Sequence, residues 1–120
     1  MEMRSLSNER PIIPGIVNGK RRAFLVDTGA SIGLISEGTK GRRFNGKLVG
    51  QGGEFESAYI CDDIVQFGDK KVGQFVIADI SQVVSSIFRE TGIEIFGIIG
   101  FKQMKAIGLT INTADNTIQV

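Results

Sequence analysis

The sequence predicts an all-β fold, mainly strands with one or two short helices, in a single domain. Short apolar runs are separated by turn-forming residues about every 8 to 12 positions, which is typical of a small barrel or sandwich. The 16 glycines among 120 residues fall between those runs, where glycine permits tight turns. A chain of this length suits one domain. We place that domain at residues 11–120, after a flexible N-terminal segment at residues 1–10.

The first two strands are predicted to form a hairpin. The apolar residues of Ile12–Val17 predict the first strand, and Pro14 favours an edge position because proline donates no backbone hydrogen bond. Asn18-Gly19 predicts the turn, since both residues tolerate positive φ angles. The return strand covers residues 21–26 and leads directly into Asp27.

The middle of the chain also reads as short strands. Leu34-Ile35 is a short apolar piece, and apolar and polar residues alternate over residues 55–67. Gly68-Asp69-Lys70 predicts a turn. Residues 72–80 then predict one further strand.

Two segments have helical character. Residues 81–90 carry apolar side chains at helical spacing, which predicts a short helix or helical turn; these are Val83, Val84, Ile87 and Phe88. Residues 101–107 predict a second short helix, and Gly108 can cap its C-terminus. A buried strand at residues 94–99 lies between the two helices. A last hairpin joins residues 109–111 to residues 117–120.

The composition excludes several kinds of site. The chain has no histidine, so Ser-His-Asp and Cys-His catalysis and zinc sites that use histidine are excluded. One cysteine, Cys61, cannot form an intrachain disulfide or a cysteine-rich metal site. We interpret it as a small buried apolar residue, although a reactive thiol is the alternative. We therefore expect no metal and no cofactor.

Charge and hydropathy patterns suggest the environment of the protein. The net charge of +1 gives no electrostatic footprint for nucleic acid. The longest apolar runs are far too short to cross a bilayer, and residues 1–11 contain no apolar core of a signal peptide. These features and the single cysteine favour a cytoplasmic location, unless a longer precursor carries a targeting segment or membrane anchor.

The segment Asp27-Thr28-Gly29-Ala30-Ser31 is the candidate catalytic loop. An apolar strand precedes it and holds the Asp27 carboxylate rigidly. Gly29 permits a tight turn whose backbone N–H can approach that carboxylate, and Thr28 offers a hydroxyl that can lock the loop. The alternative is a structural turn, because Asp, Thr and Gly all favour turns.

A glycine-rich stretch follows Leu48-Val49 and is the candidate substrate-binding hairpin tip. It consists of Gly50, Gln51, Gly52 and Gly53, with Phe55 as the nearest aromatic residue. The functional interpretation is a mobile lid, or flap, that closes over substrate and excludes water. The alternative is an ordinary hairpin loop. It is not a phosphate-binding loop, because no Gly-Lys-Ser/Thr follows.

A third element, Phe96-Gly97-Ile98-Ile99-Gly100, lies about 70 residues after Asp27. With the loop that contains Asp27, the glycine-rich tip and the short helix that follows Gly100, the chain resembles the retropepsin-like aspartic proteases over roughly residues 11–120. In that family a hydrophobic-hydrophobic-Gly element, here Ile98, Ile99 and Gly100, follows the catalytic loop. The resemblance implies a closed β-barrel of the acid-protease type, with one lobe in each chain.

The resemblance also implies an enzyme that two chains build together. A chain of 120 residues holds one Asp-Thr-Gly triplet, so a symmetric homodimer would supply the second Asp27. Thr28 would hydrogen-bond the partner's loop. Two carboxylates at so short a distance repel each other strongly when both are ionised. One therefore keeps its proton and the other activates a water. The expected substrate is a peptide or protein in extended conformation, bound as a strand beneath the flap.

Two other functions stay open from the sequence. The first is a non-catalytic dimerisation or peptide-binding module on the same fold. The intact Asp27-Thr28-Gly29 triplet argues against it. The second is a plain β-barrel in which that triplet is only a turn. The presence of both this triplet and Ile98-Ile99-Gly100 in one chain argues against a plain β-barrel. The sequence therefore favours an aspartic endopeptidase.

Overall fold

A computed structural model describes residues 1–44 and 58–120. In these ranges the chain is mainly β and has two short helices, as the sequence predicts. The helices are α1 (Ser81–Thr91) and α2 (Phe101–Ile107). The strands are β1 (Glu2–Arg4), β2 (Ile12–Val17), β3 (Lys20–Val26), β4 (Leu34–Ile35), β5 (Lys40–Arg43), β6 (Tyr59–Cys61), β7 (Val65–Phe67), β8 (Lys70–Val72), β9 (Val76–Ile77), β10 (Gly97–Ile99), β11 (Thr110–Asn112) and β12 (Thr117–Gln119).

The strands of the described residues form two sheets. Nine strands make a curled sheet in the order β5-β6-β9-β4-β10-β3-β2-β7-β8. Its two edges are different strands, β5 and β8, so the described part of the chain forms a half-barrel and does not show the predicted closed barrel. The other sheet has the order β1-β12-β11.

The large sheet separates two apolar clusters. Side chains alternate between the two faces of a strand, and along β3 Phe24 and Val26 belong to one cluster whereas Leu25 belongs to the other. Along β10, Ile98 and Ile99 divide in the same way. The last residues before Asp27 are thus packed on both faces, which fixes the end of β3.

The predicted hairpin at residues 12–26 is confirmed, but its first strand is not at an edge. β2 lies between β3 and β7. Pro14 is tolerated because it faces Ala23 of β3 on one side, while β7 pairs with β2 only at Ile16 and Val17. Proline's missing donor therefore costs no ladder hydrogen bond with β7.

Several predicted strands are shorter or divided. The single strand predicted over residues 72–80 is wrong, because β8 ends at Val72 and β9 contains only Val76–Ile77. Between them Gln74 has a φ of 63°, which a strand does not allow. The alternation predicted through residue 67 likewise divides into β6 and β7. The strand predicted over residues 94–99 is shorter in the structure and contains only Gly97–Ile99.

The first ten residues, predicted as a flexible segment, contain a paired strand. β1 runs antiparallel to β12, with Met3 opposite Ile118. Beyond it, Ser5 is buried and its hydroxyl oxygen accepts the N–H of Ile12 at 3.0 Å. The N-terminal segment is therefore held against the domain by backbone pairing and by a side-chain hydrogen bond.

Both predicted helices are confirmed. α2 ends where Gly108 adopts a left-handed conformation with a φ of 65°, which glycine reaches without steric cost. The last hairpin, β11 and β12, follows it as predicted. Within residues 1–44 and 58–120, neither helix has the length and apolar character needed to span a membrane.

Candidate active site

Asp27 lies where two parallel strands end side by side. β10 pairs with β3 in parallel, with Ile99 opposite Val26, and it pairs with β4 in antiparallel orientation on its other side. β10 thus lies between the two strands that the Asp27 loop connects. The backbone N–H of Asp27 donates to the carbonyl of Ile99 at 3.0 Å, which extends the ladder to the candidate catalytic residue.

The two oxygens of the Asp27 carboxylate have different surroundings. Oδ1 accepts the backbone N–H of Gly29 at 2.9 Å, the approach that the sequence predicts. Oδ2 is buried and has no hydrogen-bond partner among the described residues. A buried carboxylate oxygen without a donor is costly, so Oδ2 is the atom that a donor from outside these residues would satisfy.

The Asp27 loop is exposed at its tip and anchored at its base. Thr28 and Gly29 are exposed, whereas Ala30 is buried. Ala30 donates its N–H to the carbonyl of Asp27 at 3.2 Å, which closes a tight turn. Ser31 is exposed beyond the turn. The loop therefore presents Thr28 and Gly29 outward while Ala30 packs into the core.

Gly100 allows the C-terminal end of β10 to approach this loop. A Cβ atom at Gly100 would collide with the carbonyl carbon of Ile32 and lie 2.6 Å from the nitrogen of Gly33, far inside van der Waals contact. Just beyond, Phe101 donates its N–H to the carbonyl of Ala30 at 2.8 Å, and Lys102 donates to Ser31 at 3.2 Å. Two backbone hydrogen bonds thus hold the start of α2 against the candidate catalytic loop.

Gln103 is a residue of this site that the sequence reasoning missed. Its side chain is fully buried, and its Oε1 accepts the N–H of Gly33 at 2.6 Å. Its Nε2 donates to the carbonyls of Gly73, at 3.3 Å, and Gln74, at 3.1 Å. One amide thereby ties α2 to the loop after Asp27 and to the segment between β8 and β9. The sequence feature that could have identified Gln103 is its i, i+4 spacing with the buried Ile107, which places position 103 on the inner face of the helix.

The predicted site residues divide into those the structure brings together and those it does not describe. Asp27, Thr28, Gly29, Ala30 and Ser31 form one loop against Ile98, Ile99 and Gly100. Ile98 and Ile99 are completely buried, so they support the loop from within. The predicted flap residues lie outside the described residues; they are Gly50, Gln51, Gly52, Gly53 and Phe55.

Two other acidic residues, Asp63 and Asp115, have local structural partners. Asp63 accepts the backbone N–H of Thr39 at 3.0 Å, and this hydrogen bond lowers the pKa of the Asp63 carboxyl. Asp115 accepts a hydrogen bond from the side chain of Asn112. Both carboxylates therefore have structural partners outside the Asp27 loop. Within the described ranges no three Cys, Asp or Glu side chains are grouped closely enough to hold a metal ion.

An open groove of about 1020 Å³ lies elsewhere on the sheet. Residues of β3, β9, α1 and the segment before β10 line it, among them Arg22 and Phe96. The guanidinium of Arg22 lies 5.0 Å from the centre of the Phe96 ring. None of the residues from Asp27 to Ser31 lines this groove. The candidate catalytic loop lies at the opposite end of β3, where it follows Val26.

Comparison with known proteins adds no assignment. No protein-family model matches the chain, and no curated protein matches it either.

Proposed function

We propose that the protein is an aspartic endopeptidase of the retropepsin-like fold, active as a homodimer. The observation that carries the proposal is the environment of Asp27: a rigid strand end, one oxygen held by the Gly29 N–H, and a second buried oxygen with no partner in the described residues. Thr28 and Gly29, which follow that carboxylate in the chain, are exposed. This arrangement suits a carboxylate that completes its hydrogen bonding with a second carboxylate and a water.

In the proposed mechanism, the two Asp27 carboxyl groups of a dimer share one proton. The charged group takes a proton from a water molecule, whose oxygen attacks the peptide carbonyl carbon. The neutral group donates a hydrogen bond to the carbonyl oxygen. The C–N bond then breaks as the leaving nitrogen receives a proton from the dyad, and no covalent enzyme intermediate forms. Thr28 holds the two loops together by bonding to the partner's loop.

The first test compares peptide-library cleavage by wild type, Asp27→Asn and the control Asp69→Asn. Asp69 lies exposed in the turn between β7 and β8, so its variant makes the same chemical change away from the site. We expect cleavage by wild type and Asp69→Asn and none by Asp27→Asn. Equal cleavage by Asp27→Asn would refute the role of Asp27.

A second test asks whether two chains share the site. Asp27→Asn chains are mixed with wild type in threefold excess, under conditions that allow subunits to exchange. Because random pairing gives most wild-type chains an inactive partner, activity per wild-type chain should fall to about one quarter. The same excess of Asp69→Asn should not lower it. Unchanged activity with Asp27→Asn would mean that one chain suffices.

A further inference from the structure

An aromatic side chain is exposed next to the Asp27 loop. Phe101, the first residue of α2, is 59% exposed. Its backbone N–H is bonded to the carbonyl of Ala30 at 2.8 Å, so the start of α2 and the loop form one continuous surface. A single exposed apolar side chain is common in soluble proteins, and what distinguishes Phe101 is its position next to the Asp27 loop.

That location is close to where a shared dyad would form. Ala30 closes a tight turn onto Asp27, and such a turn spans less than about 7 Å between its first and fourth Cα atoms. With the further hydrogen bond from Ala30 to Phe101, residue 101 lies within roughly 12 Å of Asp27. In a dimer with two Asp27 carboxylates sharing a water, the symmetry axis passes between them. Phe101 then lies beside one of the two Asp27 residues that face the axis, and its copy lies beside the other.

The exposed residues around the carboxylate suit contact with an identical surface. Thr28, Gly29 and Ser31 are exposed and uncharged. In a two-fold interface, residues close to the axis meet their own copies, so charged side chains at these positions would repel one another. The loop residues and the exposed phenyl ring avoid that repulsion, and the one charged side chain beside them among the described residues is Lys102, which follows Phe101 on α2 and is exposed.

We propose that Phe101 is the apolar anchor of the contact between two copies of this chain. The inference rests on the proposed function, because the shared dyad defines the axis. The occupant of the surface is a second copy, since any other partner seated on Phe101 and Thr28 would leave Asp27 without its mate. Buried aromatic side chains near the centre of an interface contribute much of its binding energy.

Sedimentation equilibrium of wild type, Phe101→Ser and Phe88→Ser tests the inference. Phe88 is a matched control because it is 53% exposed on α1, where Val84, Arg89 and Glu94 surround it. We expect Phe101→Ser to raise the dimer dissociation constant at least about 100-fold, since the dimer loses two anchoring side chains. Phe88→Ser should leave it within about threefold, as for an ordinary surface change. Circular dichroism melting of each variant checks that the monomer fold is retained.

The outcomes separate this inference from the proposed function. A wild-type dimer that depends on Phe101 but cleaves no peptide supports the interface and refutes the protease. Cleavage by a dimer whose dissociation constant is unchanged in Phe101→Ser supports the protease and overturns the interface. A wild type that stays monomeric at every concentration measured overturns the interface as well.

Discussion

Replacing Gln103 by leucine tests how the candidate catalytic loop is held. The change keeps a side chain of similar size but removes both polar atoms of the amide. The N–H of Gly33 loses its acceptor at 2.6 Å, and the carbonyls of Gly73 and Gln74 lose their donor. The three groups differ in burial, because Gly33 is buried whereas Gly73 is partly exposed and Gln74 is exposed.

The size of the effect follows from that difference. A buried donor left without a partner costs about 1–3 kcal/mol, whereas a lost hydrogen bond that water can replace costs about 0.5–1.5 kcal/mol. Gly73 and Gln74 are partly exposed or exposed residues, so each of their carbonyls adds the smaller cost, and the largest single cost falls on Gly33. We expect the free energy of unfolding to fall by about 2–4 kcal/mol in Gln103→Leu. For a domain of this size the melting temperature should fall by roughly 10 °C.

Urea denaturation and amide hydrogen exchange provide the measurements. Gln82→Leu is the control, because Gln82 is exposed on α1 and its replacement should change the free energy of unfolding by less than about 0.5 kcal/mol. In Gln103→Leu the Gly33 amide should also exchange faster under native conditions. If Gln103→Leu unfolds at the same urea concentration as Gln82→Leu and Gly33 stays protected, Gln103 does not hold the loop.

Two further predictions concern Asp63 and Cys61, which lie just after and at the end of β6. Because the Thr39 N–H lowers the pKa of Asp63, its charged form stabilises the fold above the ordinary carboxyl pKa, and this contribution is lost as pH falls through the lowered value. In urea titrations Asp63→Asn should thus be less stable than wild type near pH 6, and the difference should shrink as the pH falls through the lowered pKa of Asp63; a difference that stays the same as the pH falls would contradict this. Cys61 is 1% exposed, and burial raises the pKa of its thiol. A disulfide reagent should therefore label the native protein at least about 100-fold more slowly than urea-unfolded protein. Fast labelling of the native state would show that Cys61 is a reactive thiol.

Local signals in the sequence predicted the elements whose conformation depends on a few neighbouring residues. Asn18-Gly19 predicted the hairpin between β2 and β3, and the structure has its two strands there. Gly108 predicted the end of α2, and it adopts the left-handed conformation expected of a helix cap. Both signals act through backbone φ preferences that operate over two or three residues.

Features set by distant contacts could not be predicted in the same way. The break between β8 and β9 places Gln74 at positive φ, which its residue type does not signal. Its carbonyl accepts the side chain of Gln103, 29 residues away. The position of β10 between β3 and β4 is likewise a matter of pairing between remote segments. The sequence identified Asp27 and Gly100 as candidates, but only the fold shows how closely the backbone at Gly100 approaches Ile32.

The placement of β10 also decides when the Asp27 loop can form during synthesis. Asp27 lies in the first quarter of the chain, yet the strand beside it and the amide that holds Gly33 come from residues 97–103, and Gly33 and Gln103 are 70 residues apart. Domains fold once their segments have left the ribosome, and contacts between distant residues form late. A nascent chain that has emerged only to residue 90 therefore contains Asp27 but lacks β10 and Gln103, which hold the loop in place. The order of synthesis alone keeps the proposed catalytic group unassembled until the last part of the domain is available.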